Sequence, residues 1–215
     1  MTITERPDHL GRMDPVARLT LPIYIDYKSP YAYLATGPAY ELERSHDVAI
    51  DWRPYTLEIP EFLGSVEGRN AHQWRRVKYS YMDARRIANA RGITVLGPQK
   101  IYNSRPVHVA MLYAKAGGKL RAFQDRALEL FWKRQLDIES VAALSAQLQA
   151  AGLDGAGFAA YLAGEGGALH DQIRDEAHAA GIFGVPTYVI DGEIYWGGDR
   201  LAMVVERLDA MGLRK

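Results

Sequence analysis

IFGVPTYVIDGEIYWGGDR, residues 182–200, decides how the chain is read. Thr187–Ile190 is dense in β-forming side chains. Asp191-Gly192 is a strong signal for a two-residue hairpin turn. Glu193–Trp196 is then the return strand. Asp199 is expected to cap a helix that begins at Arg200 and continues as LAMVVERLDAM. Pro186 stands just before the first strand, where a cis X-Pro bond fits. A cis bond there would leave the carbonyl and N–H of Val185 free to bind an extended ligand. The same residues also read as a plain hairpin followed by a helix.

Outward from this stretch, the start of the chain supplies the strands that the hairpin needs as neighbours. Leu19–Tyr27 reads as a strand, with Ile23 and Ile25 on one face and Tyr24 and Asp26 on the other. Pro22 belongs near the beginning of that strand. Ser29-Pro30 has the pattern of an N-cap and first helical residue. Gly37-Pro38 is expected to kink or divide the helix that follows. Val48–Arg53 is a second strand, and a right-handed crossover makes it a parallel neighbour of the first. Residues 55–70 form an irregular loop able to line a cleft or meet another subunit.

Between the two ends the chain reads as helices: 71–91, stopped by Gly92; 106–116; 120–135; 138–151, capped by Asp137; 153–162; and 168–180. Gly164, Gly166 and Gly167 are expected to separate the last two. The order is βαβ, a run of helices, then ββα. An α/β fold satisfies it: a small mixed sheet with helices on its faces and a helical subdomain inserted between its halves. This is a thioredoxin-like arrangement. The expected divisions are an N-terminal extension (1–18), a first part (19–70), the insertion (71–180) and a second part (181–215).

Composition narrows the function. At 215 residues and 48% hydrophobic content, a core is expected and disorder is not. Lys plus Arg equals Asp plus Glu at 26 each, which gives no support for a nucleic-acid partner. There is no cysteine, so a disulfide framework, a thiolate zinc site and a protein dithiol are excluded. The six histidines form no HExxH pattern. His170 and His178 share a helix face, and a surface or packing role is expected for them. Residues 1–20 carry no apolar run fit for a signal peptide, and no stretch has transmembrane length. A cytoplasmic protein with no membrane contact is expected.

Ser29 is the first chemical candidate. It follows a strand and opens a helix, where amide groups and the helix dipole favour an anion. Its hydroxyl could donate to a thiolate brought by a ligand. On residue chemistry alone, a plain helix cap is the favoured reading. YKSPYAYL at 27–34, together with GVPTYVIDGEIYWGGDR at 184–200, resembles the 2-hydroxychromene-2-carboxylate isomerase family. That family is similar to kappa-class glutathione transferases within the DsbA-like thioredoxin group. The resemblance spans roughly residues 20–212.

The resemblance implies glutathione as cofactor, a homodimer and an aromatic substrate. It implies that Ser29 hydrogen-bonds the glutathione sulfur and that Val185-Pro186 is a cis-proline loop pairing with the cysteinyl backbone. It implies Asp199 as acceptor for the γ-glutamyl ammonium. Relatives commonly have a serine before that aspartate; here it is Gly198. Lys78 is carried over as a contact for the ligand's acidic end, and Asn70 more weakly. Arg105, with Asn103, is a candidate for a substrate carboxylate. Tyr31, Tyr33 and Trp196 could line an aromatic pocket or belong to the core. Asp26 would oppose thiol ionisation if buried beside the sulfur, and has no chemical role if it faces solvent or an arginine. The expected activity is glutathione-dependent isomerisation of a small aromatic carboxylate by reversible thiolate addition. The alternatives are a kappa-like transferase or peroxidase and a non-catalytic peptide-binding protein.

Overall fold

A central strand, β1 (Leu19–Ile25), pairs on both sides and sets the architecture. In the computed structural model, which describes residues 18–60 and 64–215, the sheet has the order β2-β1-β3-β4. Apart from Arg18, the expected extension 1–18 lies outside the described residues, as do positions 61–63 of the expected loop. β2 (Val48–Pro54) runs parallel to β1, with Ile23 opposite Trp52. β3 (Thr187–Ile190) is antiparallel to β1, with Tyr24 opposite Thr187. β4 (Glu193–Trp196) closes the hairpin. Asp191 and Gly192 both have positive φ, 51° and 81°, as a two-residue hairpin of type I′ demands. Pro22 lies mid-strand, but β3 pairs with β1 only at Ile23 and Tyr24, so no bond on that side is lost.

Ile23, Tyr24 and Ile25 are all buried, so both faces of β1 are covered. α1 (Pro30–Ser45) packs on β2, on α2 (Ala71–Ala90) and on α8 (Leu201–Ala210). α3 (Arg105–Ala116) is the hub of the inserted unit. It touches α4 (Leu120–Trp132), α5 (Val141–Ala150), α6 (Phe158–Ala163) and α7 (Glu165–Ala179). α3 and α7 also reach β2, which docks the insertion on the sheet. No helix among the described residues is long and apolar enough to cross a membrane.

Several helix boundaries differ from the sequence reading. Pro38 neither divides nor ends α1. Proline offers no N–H to the Leu34 carbonyl four residues back. Arg91 supplies the missing donor, its Nη1 lying 2.7 Å from the Leu34 oxygen. Arg91→Met is therefore expected to lower stability by about 1–2 kcal/mol in urea unfolding, the cost of an orphaned carbonyl. Asp137 accepts from the Glu139 N–H at 3.0 Å, and Ser140 caps α5 instead by accepting from the Ala143 N–H. Gly166 and Gly167 lie inside α7, and the break falls at Gly164. They permit close approach: a Cβ on Gly166 would stand 2.1 Å from the Tyr161 ring, and one on Gly167 2.6 Å from the Leu162 carbonyl. Asp199 sits within a 3-10 turn, Gly198–Arg200, so α8 begins at Leu201 without a side-chain cap.

Candidate active site

From the end of β1 the chain turns through Asp26–Lys28 into α1. The Ser29 N–H donates to the Asp26 carbonyl at 2.9 Å. Ser29 has extended backbone angles, φ −91° and ψ 116°, and its Oγ accepts from the Ala32 N–H at 3.2 Å. That is the geometry of an N-cap. Accepting through a lone pair leaves the hydroxyl proton unused, and no acceptor takes it among the described residues. Capping and donation to a ligand are therefore compatible at Ser29.

The Val185-Pro186 peptide bond is cis. The Pro186 carbonyl accepts from the Gly197 N–H at 2.9 Å, and ladder pairing with β1 starts only at Thr187. Neither the N–H nor the C=O of Val185 has a hydrogen-bond partner among the described residues. Buried backbone groups are nearly always paired. Val185, 8% exposed, is an open edge at the wall of a cavity of about 590 Å³. Val185, Pro186, Gly198 and Asp199 line this cavity together, and so do Tyr31 and Trp196. The Tyr31 hydroxyl donates to Asp83 at 3.0 Å; burial and the Asp83 carboxylate push its phenol pKa up, so it remains a donor.

A second cavity, of about 450 Å³, includes Lys28 in its wall. Arg69, Lys78, Arg85 and Lys100 also line it, and among the described residues no carboxylate does. Trp74, Tyr81 and Ile101 supply apolar surface. Lys78 and Arg85 have no ion-pair partner among the described residues. Burial pushes the Tyr81 phenol up to about 12 against the pull of Arg69 and Arg85. Ser29 stands in the chain between Lys28 of the basic cavity and Tyr31 of the cis-proline cavity.

Asp26 is fully buried beneath this junction. Its carboxylate accepts from the Lys28 N–H at 3.0 Å and the Leu57 N–H at 2.8 Å. The Lys28 ammonium and His108 Nε2 each lie 3.3 Å away. Burial alone would raise this carboxyl. The nearby His108 and Lys28 side chains and the hydrogen bonds outweigh it and hold the pKa well below the usual carboxylate range. Asp26 thus faces neither solvent nor an arginine, the condition under which the sequence reading gave it no role.

Other expected residues are placed elsewhere. Lys78 belongs to the basic cavity, away from Val185 and Asp199. Tyr33 stacks on Trp132 with ring centroids 6.4 Å apart. Arg105 holds Asp171 through Nη2 at 3.0 Å and Nε at 3.3 Å, and Asn103 Oδ1 accepts from the Arg105 N–H; neither residue lines either cavity. Asn70 caps α2, accepting from the N–H groups of His72 and Gln73. The basic wall went unread as a unit. Its signal was the recurrence of Trp74, Lys78, Tyr81 and Arg85 along one helix face at spacings of three and four.

A sheet with a cis-proline edge that shares a cavity with the helix after its first strand, carrying an inserted helical unit, defines a thioredoxin-class protein. The chain belongs to the family of the DSBA-like thioredoxin domain, whose model matches residues 20–209. Within that superfamily it is homologous to 2-hydroxychromene-2-carboxylate isomerases. It is 28% identical over 187 residues to the Pseudomonas putida isomerase, across 84% of this chain and 90% of that protein. It is 28% identical over 188 residues to the Sphingobium xenophagum isomerase, across 85% and 94% of the two. A solved 2-hydroxychromene-2-carboxylate isomerase superposes with a TM-score of 0.76 at 23% identity, covering 90% of this chain and 96% of the other, a likeness of fold. Homology to these isomerases supports an isomerase-type enzymatic activity in this family.

Proposed function

We propose that this protein is a glutathione-dependent isomerase of a small aromatic carboxylate. The observation that carries the reading is the position of Ser29. It is a buried cap with an unspent hydroxyl proton; it lines neither cavity itself, but follows Lys28 of the basic cavity by one residue and precedes Tyr31 of the cis-proline cavity by two. The unpaired N–H and C=O of Val185 fit the cysteinyl unit of an extended tripeptide. Asp199, exposed in the same cavity, accepts the ammonium end. The Ser29 hydroxyl then donates to the sulfur, and the start of α1 favours its anionic form.

The chemistry glutathione supplies when bound is reversible addition of its thiolate to an electrophilic carbon, which frees a former double bond to rotate. The remaining work belongs to the protein. Lys78 and Arg85 hold the substrate carboxylate, and Trp74 and Tyr81 flank its ring. Catalysis here is positioning and preorganised charge.

Titration calorimetry with glutathione, joined to ultraviolet detection of bound thiolate, tests the reading. Wild type is expected to bind at millimolar concentration or below with a lowered thiol pKa. Ser29→Ala is expected to raise that pKa and cut turnover of an aromatic carboxylate by about 10²–10³-fold, the scale for one preorganised donor. Ser29→Gly, which retains most capping stability, should lose the same turnover and so separates donation from helix stability. No glutathione binding at millimolar concentration would overturn the proposal.

A further inference from the structure

Behind Asp26 a line of polar groups crosses the interior to the surface. His108 Nε2 lies 3.3 Å from Asp26 Oδ1, close but poorly aligned for a hydrogen bond. His108 Nδ1 is 2.9 Å from Thr56 Oγ1. Thr56 Oγ1 is 3.1 Å from His170 Nε2. His170 Nδ1 is 3.1 Å from Asp171 Oδ1, and Asp171 is held by Arg105. His108 and His170 are buried and their rings lie 5.8 Å apart. Two distant elements, α3 and α7, and the loop after β2 supply these groups, so the line exists only in the folded chain.

Counting protons decides what this line holds. It has three hydrogen bonds, His108–Thr56, Thr56–His170 and His170–Asp171, and one ion-pair approach, Asp26–His108 at 3.3 Å, between two ionised carboxylates. Each contact needs one proton, because two facing lone pairs repel. Two neutral imidazoles and one hydroxyl bring three. If His108 and His170 are both neutral, one contact sets a bare ring nitrogen against a carboxylate oxygen or against the threonine lone pairs. A fourth proton satisfies every contact, and it must make one ring an imidazolium. His108 is the ring that faces the fully buried carboxylate, whereas Asp171 is already neutralised by Arg105.

We infer that His108 is held as an imidazolium by a one-proton relay running from Asp26 to Asp171, and that it acts as a positioning residue beneath Ser29. With His108 and Lys28 both charged, Asp26 is over-compensated by one positive charge at the turn into α1. That charge favours an anion at the Ser29 cap. The charged and titratable groups around the relay are Asp26, Lys28, Asp171, Arg105 and Arg174, with the Tyr27 ring against His108. His170 carries the remaining neutral ring, with its Nδ1 proton on Asp171 and Nε2 accepting from Thr56.

The protonation claim stands on the free protein; the effect on a bound thiol rests on the proposed function. Nitrogen-15 imidazole spectra of the free, full-length protein at neutral pH should show His108 doubly protonated and His170 neutral with its proton on Nδ1. Both rings neutral would overturn the inference, whether or not glutathione binds. Thr56→Val cuts the line into two halves, each satisfied by one proton. In that variant the nitrogen-15 spectra at neutral pH should show His108 with a single ring proton, and Thr56→Ser should restore the second. A doubly protonated His108 in Thr56→Val would equally overturn the relay. If glutathione binds, Thr56→Val should raise the bound thiol pKa while Thr56→Ser does not. An unmoved thiol pKa would remove the positioning role and leave the proposed function intact.

Discussion

Asp26→Asn is expected to destabilise the fold by about 3–5 kcal/mol, read as a drop in the urea midpoint at unchanged slope. The carboxylate is fully buried, and four groups converge on its two oxygens: the N–H groups of Lys28 and Leu57, the Lys28 ammonium and His108 Nε2. An amide has one acceptor oxygen in place of two. Its NH2 group would face a backbone N–H or a cation, donor against donor. Lys28, itself 7% exposed at the side chain, and His108 would then be buried charges without a counter-charge. Breaking a buried pair from one side costs more than the pair contributes, because the remaining charge keeps its desolvation penalty. Lys28→Met should cost less, since Asp26 would retain both N–H donors and His108. A loss below about 1 kcal/mol in Asp26→Asn would show that these groups do not depend on the carboxylate.

The fold was legible where backbone rules are local. The Asp191-Gly192 turn, the capped entry Ser29-Pro30 and the β-forming run Thr187–Ile190 each specify their geometry within a few residues, and each stands as read. Helix ends were less legible where a distant partner decides them. Pro38 remains within α1 because Arg91, far along the chain, donates to the Leu34 carbonyl. Gly166 and Gly167 look like breakers in sequence but are contact points between α6 and α7. The site divides in the same way. Val185, Pro186, Gly198 and Asp199 are neighbours in sequence and share one cavity. The basic cavity draws on Lys28, α2 and the loop at 97–102, and the relay draws on residues from 26 to 171. His108 and His170 carry no spacing signal, since only packing brings their rings together.

Acid should expose the relay through stability. Burial, with the neighbouring His108 charge, pulls the His170 pKa from an ordinary 6.5 down to about 4, against the hydrogen bond to Asp171. The folded value lies below the unfolded one, so the fold prefers neutral His170. Its contribution is whole above pH 6.5 and disappears as pH falls toward about 4. A shift of this size corresponds to about 3 kcal/mol lost across that window. The relay gives the reason: its four contacts already hold one extra proton. A second would set N–H groups of both rings against Thr56 and leave its hydroxyl with no acceptor. Asp26, whose pKa is depressed, keeps its own contribution to still lower pH, so the loss in this window belongs mainly to His170. Urea midpoints measured from neutral pH to pH 4 should fall steeply in wild type. His170→Gln keeps a side-chain amide but cannot take up the proton, so its profile should be flatter by the His170 share. Parallel profiles for the two proteins would mean that His170 is not held neutral, and that the relay tolerates a second proton.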